Sequence, residues 1–295
     1  MFSGSLVAIV TPMRPDGSLD WPAWSRLLEF HRANGTRGIV VGGTTGESVT
    51  LLDAELLELT ERACEQLGEE MPVIAGIGTS STAATVERAK RLSQLPVSAL
   101  LVVTPAYNRP TQEGLYRHFA AVAQASRVPV LPYNVPARTA VDLLPSTVAR
   151  LAQLSTIVGI KEAVPQVARV RELIESCGPR FLVLSGDDAT AREAMLAGAR
   201  GVISVTANVA PRAMADLAAA ATRGEHARAQ ELDAELLGLH RDLFVEANPI
   251  PAKWVLARMG LIDSGIRLPL TGLTNGHRAA VEASARAAGV MFQRE

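Results

Sequence analysis

Lys161 closes the apolar run Thr156-Ile-Val-Gly-Ile-Lys161, a place where a charged amine has little structural reason to be. The chain has three lysines (Lys90, Lys161 and Lys253) and 26 arginines, so its surface charge is made almost entirely with guanidinium. Guanidinium stays protonated, whereas a desolvated lysine loses its proton, and the free amine can attack a carbonyl to form a Schiff base. The competing reading is a side chain that runs out from the strand end to water, and position alone leaves both open. Two of the three tyrosines, Tyr107 and Tyr133, fall at predicted strand ends, while Tyr116 lies in a helix. A phenol ordinarily titrates near about 10, close to an amine, and so can hold or relay a proton at a carbinolamine. Filling a strand end with its hydroxyl in water is the plainer use of a tyrosine. The loop Gly43-Thr44-Thr45-Gly46-Glu47 lacks the pattern and the lysine of a phosphate loop. Its glycines would turn backbone N–H groups and the Thr44 and Thr45 hydroxyls toward a small carboxylate, or would simply cap the next helix. Arg138 follows a proline-stiffened segment, Asn134-Val-Pro-Ala, which would hold its fork for two-pronged carboxylate binding. A loop arginine at the surface is the alternative. The adjacent Asp187 and Asp188 read as helix caps rather than metal ligands.

The rest of the composition narrows the class. All five histidines fall in predicted helices or their flanks, which argues against a histidine base, a Ser-His-Asp triad and a His-ligated metal. No metal is expected. A net charge of −1 with no basic block leaves no footprint for nucleic acid or an anionic membrane. Cys64 and Cys177 have no metal-type spacing and suggest free thiols in a reducing compartment, with the cytoplasm as default. The first residues lack the basic region of a secretory leader, and no apolar stretch reaches the roughly 18 residues needed to span a bilayer.

These candidate groups need elements to position them. From residue 5 to about 224, short β-branched runs alternate with amphipathic helical stretches, the pattern of repeated βα units on a parallel sheet. Eight strands are predicted, at 6–11, 38–43, 72–77, 99–104, 128–133, 156–161, 181–185 and 200–205. Caps or N1 prolines for the helices are assigned to Asp53, Ser80 or Ser81, Thr111 and Pro145. Eight units in one run predict a (β/α)8 TIM barrel over 1–224, with an open doubly wound sheet as the alternative. Residues 225–295 show only helical stretches, near 226–244, 249–259 and 276–290, and are expected to form a C-terminal helical domain.

In combination, these segments resemble the pyruvate-dependent class I aldolases and lyases of the dihydrodipicolinate synthase / N-acetylneuraminate lyase family. The resemblance runs over nearly the whole chain. It is carried by Gly43-Thr-Thr-Gly-Glu-Ser48, Thr104-Pro-Ala-Tyr-Asn-Arg-Pro110, Tyr133-Asn-Val-Pro-Ala-Arg-Thr139, Gly159-Ile-Lys-Glu-Ala163, Ser185-Gly-Asp-Asp188, Gly201-Val-Ile-Ser-Val-Thr-Ala-Asn208 and Asn248-Pro-Ile-Pro-Ala-Lys253. The Thr-Thr pair, the loop arginine and the Asn-Pro-Ile-Pro segment resemble the synthase branch. The resemblance implies that pyruvate condenses with Lys161, that the enamine attacks L-aspartate 4-semialdehyde, and that the product feeds lysine biosynthesis through diaminopimelate. It also implies roles for other residues. Tyr133 would exchange protons at the imine, relayed through Thr44 to a Tyr107 supplied by a neighbouring subunit. Thr45, the Ile203 backbone and Gly186 would hold the pyruvate part, and Arg138 the semialdehyde carboxylate. The resemblance further implies a homotetramer, built as a dimer of dimers, and no organic cofactor. Regulation departs from the family pattern: where many members place ligands for inhibitory lysine, this chain has Asp53, Leu56, Ser80, Ala84 and Ala106, which implies weak inhibition or none. The rival readings are a sister aldolase with another aldehyde and a sensor on an inactive barrel.

Overall fold

A computed structural model describes residues 2–293. Eight parallel strands close into a barrel in sequence order, with the first hydrogen-bonded to the last. They are β1 (Gly4–Ala8), β2 (Ile39–Val41), β3 (Val73–Gly76), β4 (Ala99–Val103), β5 (Val130–Asn134), β6 (Gly159–Glu162), β7 (Leu182–Ser185) and β8 (Gly201–Ser204). Each predicted run therefore overlaps a strand, with β1 beginning two residues before its run and β5 and β6 ending one residue after theirs, and ring closure removes the open-sheet alternative.

Alternation along the strands sorts their side chains into two apolar cores, because successive residues of a strand point to opposite faces. Leu6, Ala8, Val40, Ile74, Leu101, Leu131, Tyr133, Leu184 and Ile203 pack inside the barrel. Val7, Ile39, Val41, Val73, Leu100, Val102, Val130, Ile160, Val183 and Val202 pack outward against the helices. Ile160 faces outward, so Lys161 faces in and Glu162 faces out. That parity is the first step in placing the site.

The helices between strands are α1 (Trp21–Ala33), α2 (Asp53–Leu67), α3 (Thr82–Leu92), α4 (Gln112–Ala125), the short α5 (Pro136–Thr139), α6 (Pro145–Leu151), α7 (Val167–Cys177) and α8 (Ala191–Leu196). A 3-10 turn, Thr206–Asn208, then leads from β8 into α9 (Pro211–Thr222). Ser81 and Thr111 cap as expected, accepting the N–H groups of Ala84 and Gly114, and Pro145 takes N1 of α6. Asp53 does not cap. Leu52 takes the extended N-cap backbone and its N–H donates to Glu55 Oε2 at 2.8 Å, so Asp53 falls inside the first turn, where its carboxylate pairs with Arg88 at 2.6 Å. After the barrel come α10 (His226–Asp242), α11 (Ile250–Arg258) and α12 (Asn275–Ala287). The five histidines all lie on α1, α4, α10 and α12, and one of them, His240 of α10, bonds the Thr206 hydroxyl just beyond β8 at 2.8 Å.

Candidate active site

Lys161 sits one residue before the end of β6, is 5% exposed, and pairs in register with Tyr133 on β5 and Leu184 on β7. Its Nζ lies 4.2 Å from the centre of the Tyr133 ring. The ammonium is thus enclosed by the barrel, which removes the alternative of a side chain running out to water. Burial pulls its pKa down to about 8, with the Asp188 carboxylate pulling it back up and the Arg138 guanidinium pushing it further down. A free amine is therefore a sizeable fraction near neutral pH.

Tyr133 is buried and hydrogen-bonded to the Thr44 hydroxyl. Burial pushes its phenol up to about 12, against Arg138 and the Thr44 bond, which favour the phenolate. The phenol therefore holds its proton at neutral pH. A small cavity of about 20 Å³ opens beside the pair, between Thr44, Gly78, Val103 and Tyr133. Two roomier cavities, of about 620 and 510 Å³, lie elsewhere: one is between the start of α9 and the chain near Met291, the other at the N-terminal end of the barrel. The chemistry-bearing groups do not sit in the widest openings.

Gly186 stands against the lysine stem, for a Cβ there would come within 2.9 Å of Lys161 Cε. Only a residue without a side chain fits that spot unless the lysine moves. Ile203 on β8 is 1% exposed and lines the barrel interior. Arg138 is exposed on α5, close enough to act electrostatically on both Lys161 and Tyr133. Tyr107 lies four residues beyond β4, in left-handed backbone (φ 73°), and is 94% exposed. One chain alone therefore assembles Lys161, Tyr133, Thr44, Gly186 and Arg138, and leaves Tyr107 in solvent.

The loop bearing Thr44 and Thr45 is held from the far end of the sequence, which the sequence reading did not foresee. Asn248 donates to the Thr45 hydroxyl at 2.9 Å. Glu47, itself in left-handed backbone (φ 57°), is buried in an ion pair with Lys253 of α11 and accepts the N–H of Arg267 at 3.2 Å. Arg267 also bonds the Thr50 carbonyl and pairs with Glu55. From the barrel side, the Thr11 hydroxyl donates to the Gly46 carbonyl at 2.7 Å. A signal for this existed: Lys253 is a lone charge in the apolar stretch Ile250-Pro-Ala-Lys253-Trp-Val-Leu256, and a charge that cannot reach water needs a partner.

Of the two aspartates expected to cap, only one does so. Asp187 does accept the N–H of Thr190 at 3.0 Å, as a cap would, but Asp188 reaches across the barrel rim and binds the backbone after β8. Glu162, facing outward from β6, is bonded by the Asn134 amide at 3.0 and 3.1 Å and by the Val164 N–H at 2.8 Å. Burial pushes its carboxyl up to about 7 despite these donors. Among the described residues there is no group of three or more His, Cys, Asp or Glu side chains able to hold a metal ion, and no helix long and apolar enough to cross a membrane.

The sequence profile of the dihydrodipicolinate synthetase family matches residues 1–288. A protein from Aromatoleum aromaticum, named 4-hydroxy-tetrahydrodipicolinate synthase, is 53% identical over 290 residues, 98% of this chain and 99% of its own. Another of that name from Ectopseudomonas mendocina is 51% identical over 99% of this chain and 100% of its own length. The crystal structure of a chloride-inhibited dihydrodipicolinate synthase from Acinetobacter baumannii, in complex with pyruvate, superposes with a TM-score of 0.97 at 46% identity, covering 99% of this chain and all of that one.

Proposed function

The chain belongs to the dihydrodipicolinate synthetase family, and from that premise we infer that it performs the reaction for which its relatives are named, 4-hydroxy-tetrahydrodipicolinate synthesis. Pyruvate and L-aspartate 4-semialdehyde are the substrates. The observation that carries this reading is Lys161: a lysine enclosed at a strand end, with its pKa pulled to about 8 and its amine over the ring of a protonated tyrosine. Its lone pair attacks C2 of pyruvate, the carbinolamine loses water to give an imine, and loss of a C3 proton gives the enamine that attacks the aldehyde. Tyr133 gives and takes the protons at that centre, with Thr44 as its hydrogen-bonded link. Thr45, the Ile203 backbone and Gly186 enclose the pyruvate part, and Arg138 takes the semialdehyde carboxylate. Tyr107 completes the relay from a neighbouring subunit of a tight dimer, two such dimers making a homotetramer. The division into a barrel over 1–224 and a helical domain over 225–295, and operation in the cytoplasm, belong to the same reading.

Borohydride reduction in the presence of pyruvate tests it. The Lys161 peptide should gain the mass of a reduced pyruvate adduct, while Lys253, engaged with Glu47, should stay unmodified. An enzyme that traps pyruvate but does not turn over aspartate semialdehyde would be a sister aldolase; one that traps nothing would be a sensor. Lysine is a weak effector in this reading, since Leu56 is buried, the Ser80 hydroxyl donates to the Ala106 carbonyl, and Asp53 is paired with Arg88. Half-inhibition by lysine below about 1 mM would contradict that part.

A further inference from the structure

Asp188, in the turn after β7, is 3% exposed. Its Oδ2 accepts two backbone N–H groups, from Val205 at 2.8 Å and Thr206 at 2.9 Å, and so fixes the chain just beyond Ile203. Its Oδ1 is buried with no hydrogen-bond partner. An unpartnered oxygen on a buried carboxylate is costly and calls for a compensating charge. The turn that carries it lies along Lys161, because Gly186, two residues earlier, is packed against the lysine Cε. The Tyr133 ring from β5 lies against the amine, and the charges that act on it are Arg138 from α5 and Asp188 from this turn, while Asp187 acts on the Tyr133 phenol, Leu184 on β7 is apolar and Glu162 points to the other face of the sheet. Of the charges acting on the amine, Asp188 is the negative one.

Imine chemistry needs such a charge. As the neutral amine adds to pyruvate C2, a C–N bond forms, the carbonyl electrons move to oxygen, and the proton lost by nitrogen ends on that oxygen. One further proton then lets the hydroxyl leave as water, and a C=N bond with a positive charge on nitrogen remains. Removal of a C3 proton moves an electron pair into the C2–C3 bond and neutralises the nitrogen. A cation thus appears and disappears at one atom inside an apolar barrel, where a fixed opposite charge acts at low dielectric. We propose that Asp188 is the fixed counter-charge for the protonated imine at Lys161, a positioning residue acting on the reacting nitrogen through space. The proposal rests on the Lys161 reading given above. It explains why one carboxylate oxygen is anchored by two N–H groups while the other is left without a bond: the anchor fixes where the charge is.

Asp188→Asn tests it, since the amide oxygen can still accept both N–H groups and only the charge is lost. The rate of borohydride trapping with pyruvate is measured from pH 6 to 10 in both proteins, with the thermal midpoint as a check on folding. The acid limb of the profile should move down by about one pH unit, because the ammonium loses its favouring charge, and kcat should fall about tenfold or more. A limb and kcat within about twofold of the parent in a folded variant would overturn the proposal. If Asp188→Asn does not fold, Asp188→Ser, which keeps an acceptor for the N–H groups, is read by the same two outcomes. Absence of trapping in the parent protein would instead overturn the Lys161 reading, so the two failures are distinguishable.

Discussion

Burial sets the Lys161 pKa at about 8 in the folded chain, against 10.5 for an ordinary lysine. The unfolded chain therefore binds the proton more tightly, and the folded state is penalised in full below pH 8, with relief as pH rises from 8 to 10.5. Lys161→Met should abolish turnover and trapping, raise the thermal midpoint at pH 7, and lose that alkaline gain in stability. A midpoint unchanged at pH 7 would mean that the amine is not held in the desolvated state described. At this scale the sequence was informative where a residue type is scarce. One lysine among three and two tyrosines among three pointed to Lys161 and Tyr133, which the fold pairs in register. It was uninformative about Asp188, which looks like a cap until the return of β8 brings the Val205 and Thr206 N–H groups to it.

The element that carries Thr44 and Thr45 is a loop without regular structure, and its shape comes from its clasp to α11 and the segment after it. Lys253 and Glu47 are 5% and 0% exposed at their side chains. Removing one partner of a buried pair leaves the other charge uncompensated, whereas removing both together is often tolerated. Lys253→Met should therefore destabilise the protein by about 3–5 kcal/mol, and Glu47→Gln with Lys253→Met should recover most of it. Denaturant titration of the two variants checks this, and equal losses would show that the pair is not the clasp. Strands and most helices were legible because each announces itself within a dozen residues by its period. The clasp was not: 206 positions separate Glu47 from Lys253, and no local pattern carries information over that distance. The start of α2 was misread for a smaller reason: Leu52 takes the N-cap position one residue earlier, where Glu55 accepts its N–H.

For the molecule as a whole, Tyr107 poses the question of assembly. With its ring 94% exposed, it cannot serve a buried phenol within the same chain as placed, and a second copy is the simplest way to bring one in. Mixing decides the matter. Hybrid dimers of a Lys161→Arg protomer and a Tyr107→Phe protomer contain one site with both native residues if the tyrosine crosses, and none if it does not. Refolding the two variants together should raise activity well above the sum of the separate preparations; no gain would place Tyr107 in its own chain's site. The closed barrel was readable from eight repeated units, but contacts between copies leave no period in a single chain.

The parity of β6 has a further consequence. Lys161 faces the barrel interior and Glu162, its neighbour, is fastened on the outer face by Asn134. If the strand slipped by a single position against β5, the amine would lie in the helix layer and a carboxylate would occupy the reaction chamber, with both buried and neither partnered. The Asn134–Glu162 bond thus works as an index mark for strand alignment, and a misaligned barrel would betray itself chemically: it could not capture pyruvate, however native its helix content looked.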